Sequence, residues 1–149
     1  MHFWKGLFRQ KIGLGFIFSS VLFLTCMSLD FYLTNIGSKG DFTLEANIVG
    51  KTWWQLTGAF RFLEIPIYAG IILGAAYVIN FKSRFFAVAW LNLLAFNHLF
   101  GFLSWMPNGL LDFLYSWAKK DWQLPYLIAC MSIPAGFLLA FFQTKFKLK

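Results

Sequence analysis

The sequence predicts an all-α polytopic membrane protein, a bundle of four transmembrane helices with both termini on the cytoplasmic side. Three observations predict it. The 149 residues are 59% hydrophobic and only 13% charged, with a mean hydropathy of +0.63, which is too little charge to clothe a soluble globule. Stretches free of Asp, Glu, Lys and Arg run over 12–29, 65–81, 85–111 and 122–144. Each is close to the ~20 apolar residues that cross a ~30 Å hydrocarbon core. Finally, the basic residues gather outside these stretches and on alternate sides of them.

The first span is expected over 12–34, after a basic tail carrying Lys5, Arg9 and Lys11 with Trp4 as an interfacial anchor. Basic residues followed by an apolar run resemble a signal peptide, but small-residue cleavage signals are poor. Phe23-Leu24-Thr25-Cys26 is a degraded lipoprotein box, so the segment reads as a retained helix. The second span is placed over 55–80, extended outward through Arg61 and Glu64 because 65–79 alone is short. A turn at 81–84 leads to the third span, 85–105. In the next loop, Pro107-Asn108-Gly109 reads as a turn, and Leu110–Trp117 suits a short interfacial helix, either a lid or a plain connector. The fourth span is expected over 124–143. Pro66 and Pro134 fall inside spans, as membrane helices tolerate.

Counting cations gives the orientation. Lys5, Arg9, Lys11, Lys82, Arg84, Lys145, Lys147 and Lys149 lie on one side, against Lys39, Lys51, Lys119 and Lys120 on the other. All six acidic residues lie in or beyond the outer half, and Trp53, Trp54, Trp105, Trp117 and Trp122 mark the outer boundary. An inner (plasma) membrane location with N-in, C-in topology follows. The net charge of +7 is therefore an orientation signal. It forms no continuous stripe with interleaved aromatics, so nucleic acid is not an expected partner. The lipid bilayer is. No internal repeat or linker divides residues 1–149, which form one domain.

Small residues supply packing faces at Gly70-x-x-x-Gly74 and Gly136-x-x-x-Ala140, within one chain or between copies. Cys26 and Cys130 lie inside apolar blocks in no metal or disulfide spacing and are expected to be buried, reduced thiols.

Charges inside a span cost about 2.5–3.5 kcal/mol each on insertion scales, so they pair and mark function. Asp30, Arg61 and Glu64 qualify. At ~1.5 Å per residue, Asp30 and Arg61 lie about 27–29 Å from the cytoplasmic ends, Glu64 about 24 Å, His98 about 20 Å and Asn97 about 18 Å. They form one outer layer. Arg61, Glu64 and Tyr68 share a helix face, which predicts an Arg61–Glu64 pair, while Cys26, Asp30 and Thr34 share another. Asn97 and Gly101 share a third, with His98 beside them. The competing reading has Asp30 and Arg61 snorkelling to the interface and His98 as a packing residue.

Catalytic templates are poorly matched. Asp30, Glu45, Glu64 and His98 are the available metal ligands, without HExxH or paired-histidine spacing, so no metal site is expected. No GxSxG, P-loop or GxGxxG occurs, and a lone intramembrane histidine excludes a bis-histidine haem. No cofactor is expected.

The run Leu29-Asp30-Phe31-Tyr32-Leu33-Thr34, followed by Glu45-Ala46-Asn47 and then Arg61, resembles an uncharacterised family of small four-helix bacterial and archaeal membrane proteins. Their pattern is Asp-x-x-x-Thr in the first helix and Glu-x-Asn-Pro before the second. Here Ile48 replaces the proline. The resemblance implies a fold rather than an activity, and it implies that Glu45 and Asn47 fold back toward Asp30. Helix capping is the competing role for Asn47.

The functional expectation is an outward-facing polar pocket of Asp30, Thr34, Glu45, Asn47, Arg61, Glu64, Asn97 and His98. It would bind or pass a small solute, ion or proton, or serve an accessory subunit of a membrane complex. A 149-residue bundle is small for a transporter, so a homo-oligomer or larger complex is expected. An intramembrane enzyme acting on a lipid or isoprenoid, and a structural subunit, are the alternatives.

Overall fold

A computed structural model describes residues 12–37, 61–104 and 124–145, and these residues are almost entirely helical. The four helices are α1 (Leu14–Gly37), α2 (Arg61–Lys82), α3 (Arg84–Ser104) and α4 (Leu124–Lys145). Each contains a segment long and apolar enough to cross a membrane, of 23, 18, 20 and 20 residues respectively. The chain is a multi-pass membrane protein. The expected spans are recovered with small shifts, and the 55–60 portion of the second lies outside the described residues. So do Glu45, Asn47, the five outer tryptophans and the Leu110–Trp117 segment.

Helices form here because hydrocarbon offers backbone N–H and C=O groups no other partner. Stray hydroxyls obey the same constraint. Ser20 Oγ donates to the Phe16 carbonyl at 2.8 Å, Ser132 Oγ to Ile128 at 2.7 Å and Thr144 Oγ1 to Ala140 at 2.8 Å. Gly13 opens α1, its carbonyl accepting from the amides of Phe16 and Ile17.

Ser83 alone separates α2 from α3. Its amide still donates to Ile79 at 2.8 Å, and its carbonyl already accepts from Ala87 at 3.1 Å. Its Oγ accepts from the Phe86 amide at 3.5 Å, in the place of a helix N-cap.

The helices are not equally engaged. α3 is the hub, packed extensively on α1 and α4 and less on α2, while α1 touches α2 and α4 only lightly. A third of the α3 span, 33%, is buried, against 11% for α2.

The polarity of a soluble protein is inverted. Leu63, Ile67, Ile71, Tyr126 and Leu138 are exposed, whereas Ser19, Thr34, Asn92 and Ser132 are buried. Phe23, Met27, Val88 and Leu91 make the core, with many alanines between them.

Close approach is sharpest at Gly136, where an added Cβ would sit 2.7 Å from the Leu93 backbone nitrogen, so α3 and α4 meet backbone to backbone. Gly70 and Gly74 differ: an added Cβ would meet nothing within 4 Å. α2 turns Ala69 and Ala76 inward instead, leaving its glycines on the open face.

The cysteines also divide. Both are free, but only Cys26 is buried, whereas Cys130 is exposed on the lipid-facing side of α4. The expectation that both thiols are buried is corrected there, because α4 packs through Ile128, Ser132, Gly136 and Ala140.

Candidate functional site

Asp30 is on the face of α1 that carries Ser19, Phe23, Met27 and Thr34, spaced so that each successive residue returns toward α3. On α3, Leu91, Ala95 and His98 recur at similar spacing. At the end of the α1–α3 seam far from the basic termini, the two faces bring a carboxylate to an imidazole. His98 Nδ1 lies 2.8 Å from Asp30 Oδ2, with the side chains 14% and 20% exposed, respectively. The pair is therefore shielded but not sealed.

Three aromatic rings wall the imidazole. Phe23 lies 5.8 Å away between centroids, Tyr68 of α2 5.9 Å in an edge-on arrangement, and Phe31 6.0 Å. Phe23 also contacts Tyr68 at 6.3 Å, so it floors the site toward the bundle centre. In neutral histidine, an Asp30 carboxylate at Nδ1 selects the tautomer with Nδ1–H, leaving Nε2 as the basic nitrogen.

Gly101, one turn beyond His98, admits the carboxylate. A Cβ there would lie 2.7 Å from Asp30 Oδ1 and 2.8 Å from Oδ2. Only a bare backbone leaves room for Asp30 to reach the imidazole.

Of the expected site residues, the structure thus joins Asp30 and His98. Thr34 is buried one turn above Asp30 on the same α1 face. Asn97 is exposed rather than turned into the pair. Arg61 and Glu64 lie in the first turn of α2, with their side chains outside the described set, as are Glu45 and Asn47 entirely. Among the described residues, no group of three His, Cys, Asp or Glu side chains could hold a metal ion.

Sequence reasoning missed Phe23 and Phe31 as parts of this site, placed Gly101 beside His98 without giving it a role, and missed a second polar centre. Toward the basic end of the seam, Gln143 of α4 places Oε1 between α1 and α3. It accepts from Asn92 Nδ2 at 2.7 Å and from Ser19 Oγ at 3.1 Å. Asn92 and Ser19 are fully buried. The half of the bundle to which the sequence assigns no candidate site residue therefore contains a neutral polar cluster. Comparison with protein-family models, curated proteins and solved structures gives no match.

Proposed function

We propose that the protein resides in the plasma membrane with both termini cytoplasmic and binds protons at the Asp30–His98 pair, in the service of proton or small-solute movement, alone or within a larger membrane complex. The eight-to-four distribution of Lys and Arg supports the topology, which turns the pair toward the outside. One observation carries the function. A carboxylate and an imidazole meet at 2.8 Å within a membrane bundle, partly shielded and walled by aromatic rings. Ionisable groups at such depth are expensive and are retained where charge has work to do. The pair would take up a proton by converting a hydrogen-bonded Asp⁻–His pair into an Asp⁻–His⁺ ion pair.

The test is proton uptake by the full chain in liposomes after an acid pulse, wild type against Asp30→Asn and His98→Ala. Hydrogen bonds to charged groups contribute about 1.5–3 kcal/mol, so each variant should weaken uptake about 10- to 100-fold. Unchanged uptake in both, with the fold intact by circular dichroism, would sink this reading.

The same geometry favours one alternative. An Asp that fixes the histidine tautomer is also how acid–base enzymes orient an imidazole, which would suit an intramembrane enzyme acting on a lipid or isoprenoid. Turnover of lipid that disappears in His98→Ala while proton uptake persists would select it.

A further inference from the structure

The neutral centre has more hydrogen-bonding capacity than its own residues use. Ser19, Asn92 and Gln143 share one acceptor, Gln143 Oε1, and this leaves Asn92 Oδ1 and Gln143 Nε2 buried with no partner among the described residues. Asn92 is fully buried, so bulk solvent does not compensate. An unpaired buried polar group is costly, and in native proteins such groups are as a rule satisfied by an ordered water or another partner.

The orphaned atoms identify that occupant by chemistry. One is a carbonyl acceptor and the other an N–H donor. A cation would be drawn to Oδ1 but repelled by the N–H donor, and an anion the reverse. Among the described residues, no Asp, Glu, Lys or Arg side chain is hydrogen-bonded into the cluster to offset a charge. A neutral molecule that donates to Asn92 and accepts from Gln143 satisfies both at once. The surroundings limit its size. Gly15 packs against the Gln143 stem in ordinary contact, a Cβ there lying 3.7 Å from Gln143 Cβ, and the fully buried Phe23, Val88 and Leu91 close the neighbouring seam.

We propose that Ser19, Asn92 and Gln143 form a second, charge-neutral binding site occupied by a single water molecule. Such sites, polar on several sides and closed to bulk, are where proteins keep structural water. The inference does not depend on how the Asp30–His98 pair is read. Its consequence is a hydrated station about 16 Å along α1 from Asp30, separated from it by Phe23 and Met27, both essentially unexposed.

The test uses the full chain in a lipid bilayer with ¹⁵N-labelled Asn and Gln side-chain amides, read by water-edited solid-state magnetic resonance. Magnetisation should pass from water to Asn92 Nδ2 and Gln143 Nε2 despite their burial. Silence at both, while surface amides respond, overturns the proposal. A second measurement is the thermal midpoint of Asn92→Leu. Removing the carbonyl that holds the water should lower it by about 5 °C and abolish transfer to Gln143. A midpoint unchanged or raised means that a dry cavity was relieved of an unpaired group, and also overturns it. Sodium chloride titration should leave both amide resonances in place. Sodium-dependent shifts would show an ion site and refute the neutral assignment.

Discussion

The α1–α3 seam carries two polar centres of opposite character. The Asp30–His98 pair is ionisable, partly exposed and ringed by Phe23, Phe31 and Tyr68. The Ser19–Asn92–Gln143 cluster is uncharged, buried and tied across three helices. Phe23 and Met27 stand between them on α1. The contrast shows how one pair of helices can keep a titratable group near one surface without exposing the other half of the bundle to it. Charge is confined where it can reach water, and the remaining polarity is neutral, so it adds no electrostatic cost at depth.

The comparison can be attacked most forcefully by removing charge. In a double-variant cycle, Asp30→Asn/His98→Ala should reduce proton uptake no further than either single change, about 10- to 100-fold, because each already removes the shared interaction. Additive losses would show two independent groups and dissolve the pair. Next in size is Phe23→Ala, which deletes the floor between the centres. Large-to-small core changes cost about 3–5 kcal/mol, and measured stability in detergent should fall accordingly. The cavity should also bring water into contact with both centres, detectable as faster deuterium exchange at Asn92. Loss of stability without faster exchange would mean that Phe23 packs without separating.

Two glycines sharpen the contrast at smaller scale. Gly101→Ala forces a Cβ to within 2.7 Å of the Asp30 carboxylate, so it should cost about 1–3 kcal/mol and weaken uptake, since the carboxylate must withdraw from His98. Gly15→Ala, beside the neutral centre, meets Gln143 Cβ only at an ordinary 3.7 Å. There the helix-propensity gain of up to about 1 kcal/mol should dominate, and a thermal melt should show a neutral or slightly raised midpoint. Equal losses at both glycines would indicate that the two centres are packed with the same tightness.

How far the sequence reveals these features follows from what each costs. The four spans are legible because lipid demands long uncharged stretches, and the runs at 12–29, 65–81, 85–111 and 122–144 supply them. Asp30 and His98 are legible for the converse reason, being ionisable groups where none is cheap, and the rise per residue places them at similar depth. Asn92 and Gln143 escape because amides do not interrupt an uncharged stretch, and their partners come from three different helices. Gly101 is placed beside His98 by helical spacing, but only the nearby carboxylate of another helix gives it a purpose. The glycine spacing in α2 and α4 is likewise ambiguous. Gly136 meets Leu93 closely whereas Gly70 and Gly74 face open space, a difference set by which side of α2 finds α3.

The turn at Ser83 couples two spans. A single residue serves as the last rung of α2 and the cap of α3, leaving no loop between the spans to be hydrated or translocated. The two helices therefore form one tight hairpin. α3, which carries Asn92, Asn97 and His98, thus has α2 as its immediate neighbour in the chain, and Tyr68 of α2 meets His98. Inserting a residue or two after Ser83 would loosen that hairpin and shift Tyr68 relative to His98.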